Sequence, residues 1–174
     1  MFSQKERATW KAHDGGILSL TFAADGKALA SGGKDRLIRV WDLETNTEQV
    51  VLKGHSGDIN ALANAPDGKM LASGTPAGAL RLWAPPGRES RRINSPRGGL
   101  TALAFPDNKT ILSADGRNLV ILWGVDGARR LHEWPLGSPV HSLACSPNGY
   151  VAAGTEVGTI HIFRPDVVPA KSGE

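Results

Sequence analysis

The segment SGGKDRLIRVWD, which runs from Ser31 to Asp42, combines a Gly-rich turn with an apolar strand that ends in Trp-Asp. Similar segments end at Trp83 (PAGALRLW), Trp123 (GRNLVILW) and Phe163 (VGTIHIF), at spacings of 42, 40 and 40 residues. One aromatic anchor therefore recurs in each unit. A fixed period of this length is typical of proteins that stack copies of one small motif, so the sequence predicts four repeated units.

Turn signals recur at the same step. Each is a polar, turn-forming pair followed by an apolar strand start, as in a hairpin connection. The pairs are Asp25-Gly26, Asp67-Gly68, Asp107-Asn108 and Asn148-Gly149. Upstream of each turn, spaced apolar residues indicate a first strand. These residues are Ile17/Leu20/Phe22, Ile59/Leu62, Leu100/Leu103/Phe105 and Val140/Leu143/Cys145. The sequence thus predicts an all-β protein of short strands.

Composition narrows the class of protein. The formal net charge of +3 is too small to signal nucleic-acid or membrane binding by itself. A single cysteine, Cys145, excludes an internal disulfide, and the N-terminal residues lack the apolar core of a secretion signal. No run approaches the ~18 apolar residues of a membrane span. We therefore expect a cytoplasmic protein with no membrane partner.

Candidate chemical sites are few. His132, His141 and His161 do not form a short metal-binding spacing, and no second cysteine accompanies Cys145. Cys145 takes the position of Phe22 and Phe105 in other units, which indicates a core side chain. The Gly-rich turns lack the G-x-x-x-x-G-K spacing of a phosphate loop. We predict no catalytic residue, no metal and no cofactor, and hence no enzyme.

The units resemble the WD40 repeat, which carries Gly-His near its start and Trp-Asp near its end. The second unit has Gly54-His55 and APDGK at 65–69, while the first has His13, AADGK at 23–27 and Trp41-Asp42. The resemblance covers about residues 8–164. It implies β-propeller blades of four-stranded antiparallel sheets, four per chain. The predicted organisation is a lead (1–7), four repeats (8–165, approximately 8–47, 48–89, 90–129 and 130–165) and a flexible tail (166–174).

The resemblance also implies a buried polar relay in which an Asp orients a His, the His meets a Ser, and the Ser meets the Trp indole. The first repeat has all four residues, the second has Ala77 at the Asp position, and the third has Pro96 and Arg117 at the His and Asp positions. In the fourth repeat Leu136, Ala153, Val157 and Phe163 replace the relay. Its predicted members are His13, Ser31, Asp35, Trp41, His55, Ser73, Trp83, Ser113 and Trp123. A catalytic triad is rejected because the hydroxyl faces a Trp inside a sheet.

In the family, each repeat encodes the outer strand of one blade ahead of the inner strands of the next. The leading outer strand then falls at Thr9, Trp10 and Lys11, and the last blade has only three strands, sixteen strands in all. Each end of the array is left with an unpaired edge. In the family, the leading strand completes the last blade and so closes the ring.

Three ways of closing the array stay open. Our first hypothesis is a homodimer with an eight-bladed ring, in which each chain lends Thr9–Lys11 to its partner's last blade. Alternatively, the chain closes a four-bladed ring by itself. It could also be an incomplete piece of a longer WD40 protein, or pair with a different half-propeller.

Function in such a frame lies in the loops. The resemblance implies a scaffold that binds a protein or peptide partner, and the loops that line the common binding face carry Lys34, Asp58, Arg97 and Glu156. An alternative function is a basic rim that binds acidic peptide or nucleic acid. That rim would comprise Arg88, Arg91, Arg92, Arg129 and Arg130, although charge on outer strands also serves to protect sheet edges.

Overall fold

The computed structural model describes residues 6–84, 88–94, 98–126 and 129–165, and of residues 88–90 and 94 only the backbone. The described part contains fifteen strands and no helix. The first two sheets comprise β1 (Ile17–Phe22), β2 (Ala28–Gly33), β3 (Ile38–Asp42) and β4 (Thr47–Leu52), then β5 (Ala61–Asn64), β6 (Leu71–Gly74), β7 (Ala79–Ala84) and β8 (Arg88–Asn94). The last two comprise β9 (Leu100–Ala104), β10 (Thr110–Asp115), β11 (Leu119–Gly124) and β12 (Arg129–Pro135), then β13 (Val140–Cys145), β14 (Val151–Thr155) and β15 (Ile160–Phe163).

All pairings are antiparallel between consecutive strands, so each sheet is a meander. Three sheets have four strands and the last, in the described residues, has three. We refer to the four sheets as blades 1 to 4 in chain order. The tight turns form where the sequence predicts them. Asp25 Oδ1 accepts the Lys27 N–H at 2.9 Å, and Gly26 has a φ of +71°, which favours glycine.

The blades stack face to face, and each contact between neighbours holds an apolar core. The core between blades 2 and 3 joins Leu80 and Leu82 to Phe105 and Trp123. Similar clusters join blades 1 and 2, and blades 3 and 4. At the inner strands, a side chain of each blade also hydrogen-bonds to the next. Ser19 Oγ donates to the Ile59 carbonyl at 3.0 Å.

One predicted strand is missing from the single chain. Thr9, Trp10 and Lys11 form no strand, so the described residues hold fifteen strands and not sixteen. A strand forms where it can hydrogen-bond to the edge of a neighbouring sheet. Blade 4, which has three strands in the described residues, offers such an edge but lies at the other end of the array. The predicted tail at 166–174 lies outside the described residues.

Candidate interaction site

Blade 1 joins its four relay residues by hydrogen bonds. Trp41 Nε1 donates to Ser31 Oγ at 2.9 Å, and Ser31 Oγ lies 2.7 Å from His13 Nε2. On the other side of the ring, His13 Nδ1 lies 2.8 Å from Asp35 Oδ1. Burial opposes ionisation of Asp35, but the hydrogen bonds from His13 and from the Leu37 N–H outweigh it and lower the Asp35 pKa. With a proton on Nδ1, His13 donates to Asp35 and its Nε2 accepts from Ser31, so every group of this relay has a partner.

Blade 2 keeps only part of the relay. Trp83 Nε1 donates to Ser73 Oγ at 2.8 Å, and Ser73 Oγ lies 2.6 Å from His55 Nε2. Ala77 stands at the Asp position, and His55 Nδ1 is buried with no hydrogen-bond partner in the described part of the chain. Burial, together with the positive charges of Arg81 and Arg92, lowers the pKa of His55 to about 4. This histidine is therefore neutral at physiological pH.

Blade 3 contains a buried carboxylate that sequence reasoning missed. Trp123 Nε1 donates to Ser113 Oγ at 2.8 Å, as in the other blades. Asp115, two residues before Arg117 at the expected Asp position, accepts hydrogen bonds from the N–H groups of Arg117 and Leu119. It aligns with Gly33 of blade 1, where any Cβ would overlap the His13 ring. Blade 2 has Thr75 at this position beside His55, and Pro96, which replaces the histidine in blade 3, lies outside the described residues.

Blade 4 replaces the relay with apolar contacts. Phe163 stacks on Trp134 of β12, with ring centroids 4.7 Å apart, and Ala153 is fully buried. Leu136 packs against the same core cluster, whereas Val157 is exposed. Cys145 packs there too, and burial raises its thiol pKa to about 11, so the thiolate is scarce at neutral pH.

The loops named as a partner surface lie at one end of the blades. With the strands of a blade lettered a to d in chain order, the b–c loops join the second and third strands, and the d–a loops lead into the first strand of a blade. Backbone hydrogen bonds join the two kinds of loop, such as Ile59 N–H to the Gly33 carbonyl at 3.1 Å. Lys34 and Glu156 are exposed and Asp58 is half-buried. Arg97 lies outside the described residues.

The arginines of the basic rim all stand on outer strands. Arg91 and Arg92 are exposed on β8, and Arg129 and Arg130 are exposed on β12 of the neighbouring blade. Arg130 forms an ion pair with Glu133 at 2.8 Å. Arg88 also lies on β8, but its side chain is outside the described set.

Both ends of the array expose side chains that are buried elsewhere. Phe22 of blade 1 is 64% exposed, whereas Phe105, at the same position of blade 3, is 7% exposed. At the other end, Ile160 of blade 4 is 70% exposed, and its counterparts Ile38, Leu80 and Val120 are fully buried. Leu20 and Ile162 are exposed in the same way. The two end faces are thus ordinary blade faces that lack a neighbouring blade.

Trp10 lies against one of these faces. Its ring centroid is 5.4 Å from that of Trp41. The same contact occurs inside the array, where Trp134 of an outer strand stacks on Phe163 of the next blade. Trp10 therefore occupies, relative to blade 1, the place of an outer-strand residue from a preceding blade.

The described residues give no sign of other chemistry. They contain no cluster of three or more His, Cys, Asp or Glu residues that could hold a metal ion. Within the same residues, no helix could span a membrane.

Comparison with known proteins agrees with this geometry. The family described as WD domain, G-beta repeat matches residues 4–42 and 46–84. These two segments are WD40 repeats. The structure of U3-55K superimposes on 88% of this chain with a TM-score of 0.74 and 22% sequence identity. Both the predicted WD40 family and the predicted all-β propeller fold are thereby confirmed.

Two relatives match segments of about the length of one repeat. The APC/C activator protein CDC20 of Saccharomyces cerevisiae is 40% identical over 42 residues, which are 24% of this chain and 7% of the relative. Protein HIR1 of Kluyveromyces lactis is 42% identical over 45 residues, which are 26% of this chain and 5% of the relative. This chain also spans only 53% of the length of the U3-55K chain.

Proposed function

We propose that this chain is a protein-interaction scaffold without catalysis of its own, and that a second copy completes its ring of blades. The observation that carries the proposal is the pair of apolar end faces. Exposed Leu20 and Phe22 at one end, and Ile160 and Ile162 at the other, would be buried by a neighbouring blade. Burial of such side chains is worth ~1.5–3 kcal/mol each, so leaving both ends open is unfavourable.

The two end faces are complementary in kind. Within the chain, the face that bears the Trp or Phe anchor of one blade always packs on the opposite face of the preceding blade. Blade 1 exposes an anchor face and blade 4 exposes an opposite face. Ser142 of blade 4 also aligns with Ser19, which donates a hydrogen bond to the next blade. Two copies joined head to tail would form two equal contacts and close an eight-bladed ring.

Exchange of the leading segment would complete blade 4. Within the complete blades, Ile38 pairs with Leu52, and Val120 pairs with Trp134. By the same register, Trp10 would pair with the exposed Ile160. The contact of the Trp10 ring with the Trp41 ring supports this arrangement, since Trp134 of an outer strand contacts Phe163 of the next blade in a similar way.

The scaffold would present its partner surface on the loop-lined face. We propose that Lys34, Asp58, Arg97 and Glu156 contribute to it and that the partner is a protein or peptide. The four repeat boundaries and the cytoplasmic location given above remain predictions.

Absolute mass in solution tests the second copy. We expect light scattering of the full chain at micromolar concentration to give twice the chain mass of 18.4 kDa. Leu20→Glu and Ile160→Glu should each shift the mass to that of one chain, because each places a charge in an apolar contact. Leu131→Glu is the control, since Leu131 is exposed on β12 away from both ends.

Two results would overturn this arrangement. One is a folded chain, by circular dichroism, that has the mass of a single copy. The other is a dimer that neither end variant dissociates.

A second candidate function follows from the exposed arginines on β8 and β12. These neighbouring strands could bind an acidic peptide or nucleic acid. Affinity for a single-stranded DNA probe should then fall steeply with salt, and a slope near zero would reject this function.

A further inference from the structure

A groove of about 440 Å³ opens between blade 1 and blade 2. It lies within one chain, away from both end faces. Its apolar walls are formed by Ala28, Ala30, Val40, Val50, Leu71 and Trp83.

The groove has a clear origin in the sequence. Asn64 lines it and stands at the position of Phe22, Phe105 and Cys145 in the other blades. In blade 3 the Phe105 ring fills this place and packs in the same cluster as Met70 of the facing blade.

Both of those side chains are smaller at the groove. Asn64 replaces the phenyl ring, and Ala28 stands where blade 2 has Met70. Asn64 turns its amide to the carbonyl of Phe22, with a donor to acceptor distance of 2.7 Å. The groove is therefore a site that lacks one aromatic ring of the usual blade contact.

Among the lining residues, the polar side chains are the carboxylate of Asp25 and the amides of Gln49 and Asn64. The Gln49 amide donates to Asp42 Oδ2 at 3.0 Å, so a second carboxylate lies next to the lining. Backbone hydrogen bonds from Thr45 and Glu44 lower the pKa of Asp42, which keeps this carboxylate charged. A ligand with a positive charge next to its apolar group would complement this lining.

We propose that the groove binds a peptide partner that inserts one aromatic side chain, next to a basic residue, between blades 1 and 2. The phenyl group would occupy the place that Phe105 fills in blade 3, and the basic group would face Asp25. This site is separate from the loop-lined face. It extends the scaffold role, but it does not depend on the second copy, because both walls belong to one chain.

The test uses the defined probe acetyl-Gly-Lys-Phe-Gly-amide, with 4-fluorophenylalanine for detection by fluorine NMR. Burial of the ring should make it bind at least about tenfold more tightly than the same peptide with Ala in place of Phe, whose affinity is measured by competition against the fluorinated probe. Replacing Lys by Glu in the probe should weaken binding, and Asp25→Asn should remove that preference. Equal affinities of the Phe and Ala probes would overturn the proposal.

Two variants locate the binding. Asn64→Phe supplies the missing ring from inside and should abolish binding of the Phe probe. Ala28→Met narrows the groove from the other wall and should weaken binding, so the test survives if either variant folds poorly. Leu131→Phe, on an exposed outer strand, is the control and should bind as the unchanged chain does. Wild-type affinity in both folded groove variants would place the probe elsewhere and reject the site.

Discussion

At the scale of single residues, His13 and His55 differ in whether the ring Nδ1 has a hydrogen-bond partner, and one neighbouring side chain makes that difference. Asp35 accepts a hydrogen bond from His13, whereas Ala77 offers none to the buried Nδ1 of His55. An unsatisfied buried polar group costs ~1–3 kcal/mol, so blade 2 carries a stability defect that blade 1 avoids.

Restoring the carboxylate should repair this defect. Ala77→Asp places an acceptor at the Asp35 position, and we expect it to raise the free energy of unfolding by about 1 kcal/mol at pH 7. The pKa of His55 is about 4 in the folded chain, against an ordinary value of 6.5. Above pH 6.5 His55 is neutral in both the folded and the unfolded chain. As the pH drops from 6.5 towards 4, the unfolded chain takes up the proton first, so the free energy of unfolding falls. The variant should raise this pKa and weaken the acid loss. Urea unfolding at pH 7 and pH 5 measures both effects.

The reciprocal change provides the control. Asp35→Ala removes the partner of His13 and should cost ~1–3 kcal/mol. If Asp35→Ala left stability unchanged, or if Ala77→Asp deepened the acid loss, the hydrogen-bond account of the relay would be wrong.

The limits of sequence reasoning are visible at the same residues. The Ser and Trp positions of three blades could be located by spacing alone. Asp115 could not, because its position holds Gly33 and Thr75 in the first two blades, so the repeat pattern predicts no carboxylate there. Likewise, the groove at Asn64 depends on Ala28 of a different blade. The groove is a space between segments that are distant along the chain, and a repeating pattern of residue types does not reveal it.

At the scale of elements, the turn between the second and third strands of each blade requires a left-handed residue. The φ values are +67° at Arg36, +81° at Gly78, +73° at Asn118 and +80° at Gly158. Glycine and asparagine adopt this conformation readily, whereas an arginine is strained there. Blade 1 therefore has the best relay but the least suitable turn.

Arg36→Gly should relieve that strain. We expect a gain of about 0.5–1 kcal/mol in the free energy of unfolding, since relief in the folded turn exceeds the added freedom of the unfolded chain. Thermal and urea unfolding measure it. Lys34→Gly in the same loop is the control, because Lys34 has no positive φ and should lose stability by about 0.5–1 kcal/mol. A loss of stability in Arg36→Gly would contradict the strain argument.

The strands themselves follow closely from the sequence. Turn pairs and alternating apolar residues predicted the inner strands, and the repeat register predicted the outer ones. The segment Thr9–Lys11 is the exception, because strand formation depends on a neighbouring edge as well as on residue type. Within a single chain, no free sheet edge lies next to Thr9–Lys11 in the described residues.

At the scale of the whole molecule, the proposed second copy would account both for the open ends of the array and for the unpaired segment at Trp10. In the described residues blade 4 has no outer strand, and the segment at Trp10, next to blade 1, is paired with no sheet. Blades 2 and 3 separate the two ends, so a partner chain would satisfy both without distorting either blade.

A designed cross-link tests this arrangement directly. By the register of Arg39 with Val51 in blade 1, Thr9 of one copy should pair with His161 of the other. In a Cys145→Ala background, Thr9→Cys combined with His161→Cys should form a disulfide between chains, seen as a covalent dimer without reductant. Each single variant should form no covalent dimer, and neither should the control pair Thr9→Cys and Asn148→Cys, since Asn148 lies in an exposed turn away from that pairing. A disulfide within one chain would instead indicate a four-bladed ring, and no disulfide at all would exclude the strand exchange.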